Sequence, residues 1–323
     1  MEIYKQHKEQ IKELLIKGRN IDDLQKLLNF IIEIQNENGG NYKPITTKKL
    51  THYYYNLNKK YREFSIPKKS GGSRNICAPD KFLTKVLRRI NIALSLIHTP
   101  TEYSHGFLIG RSIKTNAEMH VNKKYVLNVD VKDFFPSVNF FRIKIELQKP
   151  PFELNEKMAH LVANFCCYNK TLPQGAPTSP IVTNIICNEL DLKLAEFAKT
   201  NKQVFTRYAD DITFSGYRPI YDKDYFSSLQ AILKKEKFYL KHSKTRIQTR
   251  QMRQEVTGVV VNEKLNVNRN YVRNLRALIH NYVSNKKLPD NTAMVIMGKL
   301  EFLQMIKGKE KVYLKLKNKF DSK

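Results

Sequence analysis

The sequence contains no apolar run near the roughly 20 residues that a helix needs to cross a bilayer. Its start, Met1-Glu2-Ile3-Tyr4-Lys5-Gln6-His7-Lys8, lacks the apolar stretch of a secretory leader. No membrane partner is therefore expected, and a cytoplasmic location is. The four cysteines, Cys77, Cys166, Cys167 and Cys187, show no C-x-x-C spacing. Reduced core thiols are expected from them, and a zinc site is not. Internal repeats and low-complexity linkers are also lacking, which argues against a repeat array. Acids are scarce: 30 Asp and Glu face 57 Lys and Arg, for a net charge of +27 and a pI near 9.8. That excess favours a polyanionic partner, nucleic acid before an anionic membrane surface. It is uneven too, because residues 237–323 hold 20 Lys and Arg against 6 Asp and Glu. A charge run is usually a solvated face, but half of the excess in one segment points to a docking surface. At 323 residues and 41% hydrophobic, the chain is nonetheless globular, with room for a large core and two or three subdomains.

What the sequence does have is a set of carboxylates at strand ends. Asp210 and Asp211 lie between two runs that read as strands, 204–208 and 212–215, and Asp130 ends the apolar run 125–129. By itself an Asp-Asp pair between strands reads as a turn, because Asp tolerates turn geometry. One acid at a strand end and two on a hairpin tip can instead converge, and converging carboxylates raise one another's pKa unless a cation sits between them. Such an oxygen set suits a hard ion such as Mg²⁺, and two ions side by side serve in-line phosphoryl transfer. The run Leu172-Pro173-Gln174-Gly175-Ala176-Pro177-Thr178-Ser179-Pro180 precedes an expected helix over 179–199. Gly175 would let backbone approach a flat ligand, and Ser179 is the expected helix cap.

Periodicity predicts helices over 3–16, 21–35 (capped by Asn20), from about Thr46, and over 82–97, 112–120, 139–147, 155–166 and 222–236. In the third, Tyr53-Tyr54-Tyr55 could stack on bases, although packing is the weightier reading. A hairpin over 64–77 turns at Ser70-Gly71-Gly72-Ser73; it is either an edge hairpin protected by lysines or a basic lid for phosphates. A second hairpin spans 255–267. The helix over 267–284 carries Val272, Leu275, Ile279 and Tyr282 on one stripe and Arg269, Arg273 and Arg276 on another, spaced to straddle phosphates. Two more helices, over 291–306 and 311–320, end the sequence, and the second is strongly basic.

In chain order, Asp130-Val131-Lys132-Asp133-Phe134-Phe135, Leu172-Pro173-Gln174-Gly175 and Tyr208-Ala209-Asp210-Asp211 resemble the palm motifs of reverse transcriptases. Asn116-Ala117-Glu118-Met119-His120 and Val256-Thr257-Gly258 are similar to two signatures of the bacterial retron enzymes within that family. The resemblance implies an α+β right-hand polymerase with an antiparallel palm sheet. Its parts would be an N-terminal helical extension (1–58), fingers (59–124), palm (125–262) and a basic thumb (263–323). It implies an RNA-directed DNA polymerase using two Mg²⁺ ions, with Mn²⁺ able to substitute. Asp130, Asp210 and Asp211, with the Val131 carbonyl, would be the ligands. Lys68, Arg74, Asp133, Phe134, Phe135 and Gln174 would surround the deoxynucleoside triphosphate, Phe135 as a gate against the ribose 2′-hydroxyl, while Phe134 beside it reads foremost as a core residue. Tyr208, Gly175 and Gly258 would lie along primer and template. Asn116, His120, Val256, Thr257, Arg269, Arg273 and Arg276 would bind RNA. The implied partners are a cognate structured non-coding RNA, its branched DNA product and an effector protein encoded nearby, in anti-phage defence. Two other readings stay open at this point: another bacterial reverse transcriptase (intron, diversity-generating or abortive-infection type), and an idle RNA-binding scaffold. The short sequence after Val261 and the three intact aspartates weigh against them.

Overall fold

Asn20 accepts a hydrogen bond from the Asp23 amide, and Leu24, Leu27, Leu28, Ile31 and Ile32 recur behind it at helical spacing. The outcome is the helix Ile21–Glu37, its apolar stripe wholly buried. In the computed structural model this helix lies in the first of two compact units, residues 1–102, 132–192 and 233–239. The second unit comprises residues 103–131, 193–232 and 240–323. The structure describes residues 1–68, 71–219, 222–284 and 288–322.

The first unit is built around the helix Lys81–Ile97. Asp80 caps it through the Leu83 amide, and it buries Leu83, Val86, Leu87, Ile90 and Leu94. Against it pack Lys8–Lys17, Ile21–Glu37, Glu156–Cys166 and Ser179–Ile186. The expected first helix, 3–16, is a 3₁₀ turn, Glu2–His7, followed by the α-helix Lys8–Lys17. The hairpin consists of β1 (Tyr61–Pro67) and β2 (Ser73–Pro79), antiparallel from Tyr61↔Pro79 to Pro67↔Ser73. Its tip residues Lys69 and Ser70 lie outside the described residues.

Two expectations about the Pro-rich loop need correction. Ser179 does not cap the helix: its hydroxyl donates to the Pro173 carbonyl at 2.7 Å and so staples the loop that carries Gln174 and Gly175. The single helix expected over 179–199 is broken at Cys187 into Ser179–Ile186 and Asn188–Thr200. Inside the first piece the Thr183 hydroxyl donates to the carbonyls of Ser179 and Pro180. Such back-bonding competes with the helical ladder and bends it.

The second unit holds an antiparallel sheet in the order β4-β5-β3-β6. Its strands are β3 (Tyr125–Asp130), β4 (Gln203–Tyr208), β5 (Asp211–Gly216) and β6 (Arg246–Thr249). The strands β7 (Glu255–Val256) and β8 (Val259–Val260) pair separately. Both central residues of their turn, Thr257 (φ 48°) and Gly258 (φ 81°), are left-handed, the conformation of a type I′ turn. Val256, Val259, Val261 and Val267 join Leu275, Ile279, Ile296, Leu300, Leu303, Tyr313 and Leu316 in one hydrophobic cluster. The helices Arg269–Val283, Thr292–Lys307 and Lys311–Asp321 are thereby fastened to the end of the sheet. The chain is α+β with antiparallel strands, as expected. Strand β6 was not expected from sequence, because a glutamine, Gln248, fills its buried position and ties it to Glu255 through both backbone groups.

Candidate active site

Asp130 is the last residue of β3 and Asp211 the first of β5, and the antiparallel register sets them directly opposite each other. Directly opposed residues project to the same face, so two of the three acids converge through strand pairing alone. The third, Asp210, is tied in by its carbonyl, which accepts from the Val131 amide at 3.0 Å. Asp130 is buried, whereas Asp211 is exposed at the tip. The surrounding protein, then the charges of Asp210 and Asp130, push the Asp211 carboxyl up to about 6. Because Asp211 itself remains exposed, the crowding of like charge is the more telling of these causes.

The turn between β4 and β5 is braced from beneath. Ala209 has a φ of 57°, a left-handed conformation that needs outside support in a residue with a side chain. The fully buried Arg207 donates to the Ala209 carbonyl at 3.3 Å and to the Ser104 hydroxyl at 3.0 Å. The segment 103–106 pairs alongside: the Arg207 amide donates to the Tyr103 carbonyl, and the His105 amide to the Arg207 carbonyl, both at 2.8 Å. Gly106 then passes so close that a Cβ there would lie 2.6 Å from the Ala209 nitrogen.

One further group belongs to the site. The Lys244 ammonium makes an ion pair with Asp130. Burial pulls the Lys244 pKa down, but the Asp130 hydrogen bond and the charges of all three aspartates outweigh it, so the pKa is raised. Lys244 comes from the 3₁₀ turn His242–Lys244 that leads into β6, and β6 pairs with β3, so the same sheet sets Asp130 and the lysine together. Among the described residues, no three His, Cys, Asp or Glu side chains stand close enough to enclose a metal ion. The chemistry of the donors nevertheless fits a hard divalent cation: three carboxylates at one sheet end, one with a raised pKa, and a lysine already serving as counter-charge. Binding an ion there requires the Lys244 ammonium to yield the Asp130 carboxylate.

The profile of the reverse transcriptase (RNA-dependent DNA polymerase) family matches residues 66–267. The sequence is 31% identical over 252 residues to the retron Ec86 reverse transcriptase of Escherichia coli, covering 75% of this chain and 76% of that one. This chain belongs to the retron reverse transcriptases. It is also 35% identical over 274 residues to the retron Mx65 reverse transcriptase of Myxococcus xanthus, covering 76% of this chain. Its identity to the retron Mx162 reverse transcriptase of the same organism is 35% over 258 residues, or 68% of this chain. The matched regions span 61% and 52% of the lengths of those two proteins.

The two retron signatures, far apart in sequence, meet in the second unit. Asn116 Nδ2 donates to Thr257 Oγ1 at 3.4 Å, and the Thr257 hydroxyl donates to the Ile113 carbonyl. His120 lies 2.7 Å from both Ser215 Oγ and Thr206 Oγ1, joining β5 to β4 behind the aspartates. Burial, with the charges of His105 and Lys123, lowers its pKa to about 3, so the imidazole is neutral. The expectation that Asn116, His120 and Val256 touch RNA is corrected here. Their exposures are 1%, 0% and 0%, which leaves no surface for a ligand. They are interior residues that tie β4, β5 and the β7–β8 turn to neighbouring structure. Thr257 is half-buried, and Gly258 is exposed at the turn.

The remaining expected residues fall as follows. Tyr208, half-buried, stands opposite Asp211 in the β4–β5 pair. Arg269, Arg273 and Arg276 are all exposed on one helix. In the first unit, Phe134 is a core residue stacked on Phe238 at 5.7 Å, while Phe135 beside it is only half-buried. Asp133 is exposed, with a φ of 47°. The Gln174 carbonyl accepts from the Cys77 amide at 2.9 Å, and a Cβ on Gly175 would meet the Cys77 oxygen at 2.9 Å. Only glycine lets that loop lie against β2. Lys68 and Arg74 are exposed on the hairpin. Sequence reasoning missed Lys244, Arg207 and Gly106. Lys244 could have been found only by recognising β6, and the other two only by knowing what packs under the turn.

Proposed function

We propose that this chain is an RNA-directed DNA polymerase that copies part of a cognate structured RNA. Synthesis starts from an internal 2′-hydroxyl of that RNA and leaves a branched RNA–DNA product, in anti-phage defence with an effector encoded nearby. The observation that supports this most is the convergence of Asp130, Asp210 and Asp211 at one end of an antiparallel sheet in a retron-family chain. Asp130, Asp210 and Asp211, with the Val131 carbonyl, would hold two Mg²⁺ ions, or Mn²⁺ in their place. When bound, such ions lower the pKa of the attacking hydroxyl and stabilise the leaving pyrophosphate.

The protein's own task is to align the reactants and balance charge. Lys68 and Arg74 neutralise the incoming triphosphate, and the backbone of Asp133 lies along it. Phe135 fills the space that a ribose 2′-hydroxyl would need, which selects deoxynucleotides. Gln174 and Gly175 form the wall against the nucleotide and template, and Tyr208 and Gly258 hold the primer. Arg269, Arg273 and Arg276 grip phosphates of the RNA.

The test is extension of an annealed RNA template and primer with deoxynucleotides and Mg²⁺. Asp130→Asn should abolish it; undiminished extension would show that the metal site is misassigned. DNA recovered from cells carrying the native operon should shift in mobility after RNase or debranching treatment. Recovery of linear, unbranched DNA alone would refute the branched product and leave the polymerase reading standing.

A further inference from the structure

Between Glu37 and Glu63 run 25 residues without a single acid, and they include six Lys or Arg and five tyrosines. Most of these aromatics are used internally. Tyr53 donates to Asp80 at 2.7 Å and packs on Phe82, and Lys49 and Lys60 lie over the rings of Phe82 and Tyr53. Tyr54 reaches Phe165. Tyr55 is different: it is 78% exposed, more than any other large hydrophobic residue among those described. Its ring meets Tyr54 edge-on at 5.2 Å, which fixes it without covering its outer face.

Lys48, His52 and Tyr55 recur at i, i+4 and i+7 of the helix Thr47–Tyr55 and therefore share one exposed face. The next turn, Leu57–Lys60, adds exposed Lys59. Asn58 accepts from the Asn169 amide at 3.2 Å, which brings exposed Lys170 to the same neighbourhood. Among the described residues, none of Lys48, Lys59 and Lys170 makes an ion pair. Of the two acids that bound this stretch in sequence, Glu37 and Glu63, the latter already accepts from Tyr168.

We infer that this face of the first unit is a binding platform for single-stranded RNA, with Tyr55 stacking on an unpaired base and Lys48, Lys59 and Lys170 pairing with flanking phosphates. An open ring among cations has what an unpaired strand offers partners for, a π-face at each base and a charge at each phosphate. A duplex keeps its bases stacked inside and gives the ring nothing to cover. The inference rests on the reading that the chain works on a structured RNA, and it names a place where an unpaired part of that RNA is held.

The probe is a short single-stranded oligoribonucleotide carrying an iodinated uridine, photocrosslinked to the full chain and mapped by mass spectrometry. A crosslink at Tyr55 is expected, lost when Lys48 and Lys59 are both changed to Ala. Tyr55→Ala should weaken binding of the same strand about 5- to 100-fold, and Tyr55→Phe, which keeps the stacking face, should restore it. Binding of a blunt duplex should be unchanged by Tyr55→Ala. Tyr55 is too exposed for its loss to unfold the protein, and thermal melting checks this. Equal affinity of Tyr55→Ala and the parent, or crosslinks only to other peptides, would overturn the inference. Extension of a pre-annealed template and primer by the parent, run in parallel, separates that failure from failure of the polymerase reading.

Discussion

Gly106 is the residue on which the bracing of the β4–β5 turn can be tested most sharply. In Gly106→Ala the new Cβ would stand 2.6 Å from the Ala209 nitrogen, 3.2 Å from the Tyr208 carbonyl carbon and 3.4 Å from the Ala209 Cα. All three are backbone atoms, so no rotamer change relieves the contact. Ordinary van der Waals separation begins at 3.4 Å, which leaves 3.4 − 2.6 = 0.8 Å to be found by displacement. The glycine's side cannot retreat easily. Its segment is hydrogen-bonded to both backbone groups of Arg207, and the Ser104 carbonyl is held by Arg111. Much of the shift must therefore fall on Ala209, immediately before Asp210. Overpacking of this kind costs about 1–3 kcal/mol, and misplacing reacting groups by about 1 Å lowers rates on the order of 100-fold. The expected result is a kcat for primer extension reduced about 10- to 100-fold, with affinity for RNA nearly unchanged. The assay is single-turnover extension beside an equilibrium RNA-binding titration and a melting curve. Extension at the parental rate with an unaltered melting temperature would show that the segment beneath the turn yields freely and does not set its position.

Trimming Phe135 to Val or Ala should admit ribonucleotides, lowering the deoxy-to-ribo incorporation ratio about 10- to 200-fold; an unaltered ratio would show that the gate lies elsewhere. Changing Arg269, Arg273 and Arg276 together to Ala should weaken cognate and unrelated RNA alike, and the slope of log affinity against log salt should flatten by about 2–3. A steep slope that survives the triple change would place the phosphate contacts on other residues. His120 predicts a pH effect on stability. Its folded pKa of about 3 lies below the ordinary 6.5, so its contribution is complete above that value and is lost as the pH falls, when only the unfolded chain takes up the proton. Between neutral pH and pH 5 this amounts to about 2 kcal/mol. Urea titrations should show the pH dependence shrinking by that amount in His120→Asn, and an equal dependence in both proteins would mean that the histidine titrates normally.

Much of this architecture was legible in the sequence because its signals are local. Caps such as Asn20 and Asp80 and the apolar stripes behind them name their helices without reference to the rest of the chain. The ordered aspartate and glycine motifs did the same for the candidate site. What could not be read were features whose partners lie far along the chain. Strand β6 carries no alternating hydrophobic pattern, since its buried residue is a glutamine satisfied by Asn128 and Glu255. Without β6, Lys244 was one more cation in a basic tail, although it is the counter-ion of Asp130. Asn116 and His120 were recognisable as a signature but not as interior residues, because a polar side chain reads as surface until its buried hydroxyl partners are known.

The sequence alone determined most of the helices and the β4–β5 hairpin, because periodicity, caps and turn residues act over a few positions. Only the tertiary structure decided which side chains face one another. The register of β3 against β5 sets Asp130 opposite Asp211, and the pairing of β6 with β3 brings the sheet's lysine to the buried acid. The packing of residues 103–106 under Ala209 requires glycine at position 106. Each of these depends on contacts closed across long stretches of chain, where the alternation of a strand says which face a residue takes but not what will stand across from it.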